Sequence, residues 1–169
     1  KGLVERERFS GSVLVAQSGK ILFEKGYGLA NREWDIPNSP RTKFRIGSLT
    51  KQFTAAAILR LQEQGKLKVT DEIARYVTGL PPEWRQITIH QLLTHTAGLP
   101  EYSPPPENDK AINFTGASPE QLLNRIKPQP LKFAPGTKFG YCNAGNLLLG
   151  MIIEKVSGLD YASFLKQSV

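Results

Sequence analysis

The first apolar positions fall in two short runs of strand type. Ser12-Val13-Leu14-Val15-Ala16-Gln17 is β-branched and apolar, and Ile21-Leu22-Phe23-Glu24-Lys25-Gly26-Tyr27 follows it after the turn former Ser18-Gly19-Lys20. Together they predict a β-hairpin. Two strands alone are marginal in water, so this hairpin needs further partners. After a loop rich in turn formers, from Asn31 to Thr42, the pattern changes to helical spacing. Leu49 to Gln64 carries Phe53, Ala57, Leu59 and Leu61 on overlapping faces, is rich in helix formers and stops at Gly65.

Shorter helical segments follow. Thr70-Asp71-Glu72 opens a short helix that runs through Tyr76, with Thr70 or Asp71 as its cap, and Pro81-Pro82 closes that unit. Thr88 to Leu93 opens another, closed around Gly98. Ser118-Pro119-Glu120-Gln121 is a capped start with proline at the first helical position. Asn143 or its neighbour begins a long apolar helix to Val156, ended by Ser157-Gly158, and Leu159 to Val169 begins an amphipathic one. The Pro- and Asn-rich stretch from Pro100 to Gly116 reads as a surface loop, and Phe133 to Thr137 as a turn. The order predicts an α+β chain of the α/β sandwich type. Residues 1–45 supply strands of the sheet, and residues 46–169 form a helical region.

Composition narrows the classes. Of 169 residues, 40% are hydrophobic and 22% charged, which excludes a disordered tail, a collagen and a coiled coil. The longest apolar run, Leu147 to Ile153, is far short of the roughly 20 residues of a membrane helix, so no membrane span is expected. The net charge of +7 is scattered, with Arg41, Lys43 and Arg45 and the pair Lys66 and Lys68 as its densest groupings. There is neither a basic helix nor an aromatic stacking platform, so no nucleic-acid partner is expected. A single cysteine, Cys142, rules out an intrachain disulfide and a thiolate zinc cluster. His90 and His95 are the only histidines and have no third ligand nearby, so no metal is expected.

Two clusters could carry chemistry. Ser48 and Lys51 lie one helical turn apart, which puts both on one face at a helix start. A serine hydroxyl becomes a nucleophile when a base takes its proton. The same spacing also fits a plain N-cap serine. A second copy, Ser163-Phe164-Leu165-Lys166, lies in the middle of a predicted helix and reads as coincidence. Tyr141-Cys142-Asn143 sits between a turn and a helix. Its phenol can act as a base if a cation such as Lys51 stabilises the phenolate, and Asn143 can bind an ammonium and donate to a substrate carbonyl. The plainer alternative is a packed tyrosine with Asn143 as a helix cap. Cys142 reads as a small buried side chain. His95, ahead of Thr96-Ala97-Gly98-Leu99-Pro100, reads as a residue that fixes a glycine turn by hydrogen bonds to backbone carbonyls.

The ordered set resembles one family. Gly26-Tyr27-Gly28-Leu29-Ala30-Asn31, then Phe44-Arg45-Ile46-Gly47-Ser48-Leu49-Thr50-Lys51, then His95 to Pro100, then Pro135-Gly136-Thr137 running into Tyr141-Cys142-Asn143, is similar to the serine β-lactamase and penicillin-binding-protein family. The likeness is to its class C, D,D-peptidase and esterase-like branch and spans Gly11 to the C-terminus. It implies a β-lactamase/transpeptidase-like fold. It implies Ser48 as the acyl-forming nucleophile, Lys51 as its proton-sharing partner, Tyr141 as general base and Asn143 as a substrate-positioning residue. The backbone N–H of Ser48 would form half of an oxyanion hole. The substrate implied is a small molecule or peptide carrying an amide, ester or β-lactam. No metal or cofactor is implied, and relatives point to a periplasmic or extracellular location.

One departure stands out. The family's third motif, of Lys-Thr-Gly or His-x-Gly type, is not found; Thr137-Lys138 and His95-Thr96 do not match it. The resemblance therefore implies the N-terminal half of such a protein, with the C-terminal strands of the sheet absent. It also implies a chain poorly stable alone, which a second chain or segment would complete. The loop from Glu101 to Ala117 is expected to rim the cleft. A non-catalytic binding or regulatory module that keeps the fold is the alternative.

Overall fold

In the computed structural model, which describes residues 9–101 and 117–169, the two strand-type runs pair. β1 (Gly11–Gln17) lies antiparallel to β2 (Lys20–Tyr27), with Gly11 opposite Tyr27 and Gln17 opposite Lys20. A bulge between Val15 and Ala16 interrupts the register. Leu14, Val15, Ile21, Leu22 and Phe23 remain between 42% and 61% exposed. The stretch expected to be only a loop holds a second small hairpin, β3 (Leu29–Asn31) against β4 (Ile36–Pro37). Side-chain hydrogen bonds build it. The Asn31 Oδ1 accepts from the Trp34 N–H at 2.9 Å, and the buried Asn38 donates from Nδ2 to the Tyr27 carbonyl at 2.9 Å. These strands belong to one compact unit, Lys1–Gly47; the other is Ser48–Val169.

The second unit is helical. A 3-10 turn, Gly47–Leu49, leads into α1 (Thr50–Glu63). Its buried residues are Thr54, Ala57, Ile58 and Leu61, a spacing of three, four and seven. Of the four apolar residues read on overlapping faces, Ala57 and Leu61 are buried, while Phe53 and Leu59 are 43% and 47% exposed. The helix expected from Thr70 to Tyr76 shrinks to one 3-10 turn, Ile73–Arg75. The reason is tertiary pairing: the N–H of Ile73 donates to the Ile87 carbonyl, Ile89 donates to Asp71, and His90 donates to Val69. Backbone groups used this way are lost to an α-helical ladder.

α2 (Ile89–Leu93) starts at a capping box. The Thr88 hydroxyl accepts from the Gln91 N–H, and the Gln91 side chain accepts from the Thr88 N–H. α3 (Pro119–Ile126) repeats the device with Ser118 and Gln121. α4 (Asn143–Ser157) buries Ala144, Gly145, Leu148, Leu149, Ile152 and Ile153 and ends at Gly158. α5 (Tyr161–Ser168) is capped by the Asp160 carboxylate, which accepts from the Ser163 N–H. Ser163 therefore lies in the first turn of α5, not in its middle as expected, and that helix start is already satisfied. One core holds the unit together, with Ile58, Leu61, Trp84, Ile87, Leu92, Leu148 and Ile152 all at most 1% exposed. Among the described residues, no helix is long and apolar enough to cross a membrane.

After α2, the chain from His95 to Pro100 runs beside residues 132–140. The carbonyl of Gly98 accepts from the Lys132 N–H, that of Thr96 from Gly136, and that of His95 from Gly140, each at 2.8 Å. Gly98 has φ +70°, and a Cβ there would stand 2.1 Å from the Phe133 carbonyl oxygen. No side chain fits without moving backbone. Gly65 has nearly the same φ, +69°, but open space around its Cβ position. Gly98→Ala should therefore lower the unfolding free energy by about 2 kcal/mol or more, against about 1 kcal/mol for Gly65→Ala. Urea unfolding of the two variants checks this, and equal losses would refute the close-approach argument.

Candidate active site

Ser48 is the middle residue of the 3-10 turn ahead of α1. It does not act as the plain cap considered from the sequence. The N-cap of α1 is Leu49, which makes no side-chain cap bond. The Ser48 hydroxyl instead lies 2.8 Å from the Tyr141 hydroxyl and accepts from the Lys51 ammonium at 3.0 Å. Ser48 and Lys51 are three residues apart across the junction of the 3-10 turn and α1, so local backbone geometry brings the two side chains together. Lys51 donates a second bond to Asn143 Oδ1 at 2.8 Å. Its ammonium also lies 4.9 Å from the centre of the Tyr141 ring. The four residues singled out from the sequence, Ser48, Lys51, Tyr141 and Asn143, therefore meet in one cluster.

Tyr141 reaches the cluster because the bond between Gly140 and His95 ends the pairing just before it. Its ring packs against that of His95, with centroids 4.7 Å apart and planes inclined by 34°. It is 48% exposed. The adjacent Lys51 ammonium, and next the hydrogen bond with Ser48, hold the phenol below its ordinary pKa, while the charge of Glu101 works in the opposite direction. Asn143 is the first residue of α4, and the N-cap there is Cys142, without a side-chain cap bond. The capping alternative for Asn143 thus gives way to the contact with Lys51.

His95 stands in the left-handed region, with φ +56°. Its Nδ1 accepts from the backbone N–H of Cys142 at 3.4 Å. This ring bond to the Cys142 backbone, together with the His95 carbonyl that accepts from Gly140, fixes the loop. Burial and then the Lys51 charge push the imidazole below its ordinary pKa, which favours the neutral ring that accepts this bond. Cys142 is buried with its Sγ 3.3 Å from the Pro100 carbonyl, and burial pushes its thiol up and away from reactivity. His90 is exposed on α2. Among the described residues, no group of three or more His, Cys, Asp and Glu could hold a metal.

Sequence reasoning missed Glu101. Its Oε2 accepts from the Asn143 backbone N–H at 2.9 Å and lies 3.4 Å from Asn143 Nδ2. The signal in the sequence is a carboxylate directly after the His95–Pro100 turn, which by itself marks only the start of a loop rim. The rest of that loop, up to Gly116, lies outside the described residues. Lys51 and Asn143 also border a groove of about 400 Å³ between α1 and α4, shared with Thr50, Thr54, Asn146 and Leu147.

The chain as a whole is similar to known proteins. The family model described as Beta-lactamase matches residues 1–169. The chain is similar to Penicillin-binding protein 4* of Bacillus subtilis strain 168, at 34% identity over 174 residues, covering 99% of this chain and 37% of that protein. It is similar to the crystal structure of a penicillin binding protein from Bacillus halodurans, with a TM-score of 0.83 and 34% identity, over 98% of this chain and 51% of that one. It is also similar to EstCE1, described as a hydrolase with promiscuous acyltransferase activity, with a TM-score of 0.79 and 28% identity, over 98% of this chain and 47% of that one. The chain spans between 37% and 51% of the length of these three relatives. Its helices and small antiparallel sheets have the β-lactamase/transpeptidase fold.

If Lys51 holds the Tyr141 phenol down, removing its charge releases it. In Lys51→Ala, tyrosinate at Tyr141 should form at higher pH than in the parent chain. Ultraviolet titration, with Tyr141→Phe subtracted, measures that midpoint, and a midpoint unmoved or lowered would contradict the assignment.

Proposed function

The chain belongs to the Beta-lactamase family, and on that premise we propose that it carries the acylation site of a serine hydrolase, with Ser48 as nucleophile. The observation that carries this reading is the Ser48 hydroxyl within hydrogen-bond reach of both the Tyr141 hydroxyl and the Lys51 ammonium. A pure binding surface has no need of a hydroxyl, a phenol and an ammonium converging on one oxygen. The likeness to EstCE1, a hydrolase with acyltransferase activity, supports the same reaction class.

In the proposed cycle, Tyr141 reacts as a phenolate stabilised by Lys51 and takes the Ser48 proton. The freed Oγ attacks the carbonyl carbon of an amide, ester or β-lactam. The oxygen of that carbonyl becomes an oxyanion, for which the Ser48 backbone N–H is one donor. Collapse breaks the bond to the leaving nitrogen or oxygen, which takes the proton back from Tyr141 and leaves an acyl ester on Ser48. Water, deprotonated by the same phenolate, then attacks that ester and restores the serine. Lys51 shares in these transfers through its bond to Ser48. Asn143 holds the Lys51 ammonium through Oδ1 and helps position the substrate, which is a small molecule or a peptide.

The same reading covers the first unit. Leu14, Ile21 and Leu22 are each close to 60% exposed on a two-stranded sheet. Apolar strands left this open associate with further strands. We propose that another segment or chain completes this sheet.

Intact-mass analysis with a β-lactam or a serine-reactive phosphonate tests the nucleophile. A single adduct should form and be absent from Ser48→Ala. Tyr141→Phe should slow its formation by roughly a hundredfold or more. An adduct that survives in Ser48→Ala would place the reactive group elsewhere, and no adduct at all would favour a binding or regulatory role for the same fold.

A further inference from the structure

We propose that Glu101 is a positioning residue of this site: it locks the Asn143 amide with its oxygen toward Lys51 and sets a counter-charge beside the cluster. The inference deepens the acylation reading and rests on it for its catalytic consequence. Its structural basis is a question of donors and acceptors. An asparagine amide has two ends of nearly equal shape, and only its hydrogen bonds decide which way it points. An ammonium only donates, so Lys51 requires the oxygen. A carboxylate only accepts, so Glu101 requires a donor. Asn143 lies between them, with Oδ1 2.8 Å from Lys51 Nζ and Nδ2 3.4 Å from Glu101 Oε2. The flipped amide would face an ammonium with its NH₂ group and a carboxylate with its oxygen. One orientation satisfies both neighbours.

A second bond strengthens the first. Glu101 Oε2 accepts from the Asn143 backbone N–H at 2.9 Å. This N–H is one of the orphan donors at the start of α4, and the N-cap residue Cys142 supplies no side-chain acceptor. Glu101 takes that role from 42 residues upstream. A carboxylate at a helix N-terminus is also favoured by the helix dipole. The same carboxylate oxygen thus holds both the backbone and the side-chain amide of Asn143. The carboxylate is carried into place by the His95–Pro100 turn that pairs with residues 132–140.

The counter-charge acts on Tyr141. Among the described residues, the titratable and charged groups facing the phenol are Lys51 from α1, His95 from the turn after α2, and Glu101 at the end of that turn. Of these, Lys51 and Glu101 act on the phenol by their charges, in opposite directions. Lys51 favours the phenolate, and Glu101 opposes it. Neutralising Glu101 removes the opposing charge, so the phenol loses its proton more readily.

Two variants and two readouts test the proposal in the full chain. Glu101→Gln keeps an acceptor oxygen and removes the charge; Glu101→Ala removes both. Tyrosinate titration, corrected with Tyr141→Phe, should show Tyr141 ionising at lower pH in Glu101→Gln than in the parent. The acid limb of Ser48 acylation by a β-lactam should move to lower pH in the same variant. Glu101→Ala should lower the plateau rate of acylation, above the acid limb, by on the order of a hundredfold, through the misplaced Asn143 and Lys51. A Tyr141 midpoint unmoved in Glu101→Gln would overturn the proposal, and so would parental acylation in Glu101→Ala. If the parent chain itself is not acylated, the hydrolase reading fails, and the Tyr141 midpoint in Glu101→Gln alone decides the role of Glu101. That variant also decides it if Glu101→Ala does not fold.

Discussion

The ammonium of Lys51 is the contact on which the site depends. It donates to the Ser48 hydroxyl and the Asn143 amide oxygen and lies against the face of the Tyr141 ring. Each of those three groups is exposed, and the ammonium touches all three. Ser48, Tyr141 and Asn143 are all open to solvent. Water therefore weakens the Coulomb term, and direct hydrogen bonds at 2.8–3.0 Å carry most of the coupling. The charge matters chemically because it lowers the cost of a phenolate next to a serine hydroxyl.

Holding that contact is a problem of chain topology. Lys51 and Asn143 are 92 residues apart. The α1 and α4 helices that carry them share the core of the second unit through Ala57, Ile58 and Leu61 on one side and Leu148, Leu149 and Ile152 on the other. Tyr141 precedes α4 and needs separate guidance. Three backbone bonds between the His95–Pro100 turn and residues 132–140 supply it, and Gly98 permits the close approach they require. The same turn delivers His95 to the ring of Tyr141 and Glu101 to Asn143. One short turn thus serves the phenol, its packing partner and its opposing charge.

Much of this was legible in the sequence, and the misses share a cause. The hairpin, the long apolar helix at Asn143 and the Ser118 start follow local rules, and they appear in the structure. Spacing alone could not separate Ser48-Lys51 from Ser163-Lys166, because both have the same interval. The difference lies in what the helix start faces: Asp160 caps α5, whereas Ser48 faces Tyr141. The helix expected at Thr70–Tyr76 was lost to bonds with Ile87 and Ile89, which no local pattern encodes. Phe53 and Leu59 carry apolar side chains but lie off the stripe set by Thr54, Ala57, Ile58 and Leu61. Glu101 was invisible as a site residue because its partner lies 42 positions away, across a pairing that only the folded chain makes.

Lys51 and Tyr141 are expected to act as one unit on Ser48. A double-mutant cycle on the rate of Ser48 acylation tests it directly, with Lys51→Met, Tyr141→Phe and the pair combined. Strong non-additivity is expected, with the double variant acylated about as fast as the slower single variant, because either change disables the same proton acceptor. Penalties that multiply in the double variant would mean two independent contributions and would contradict it.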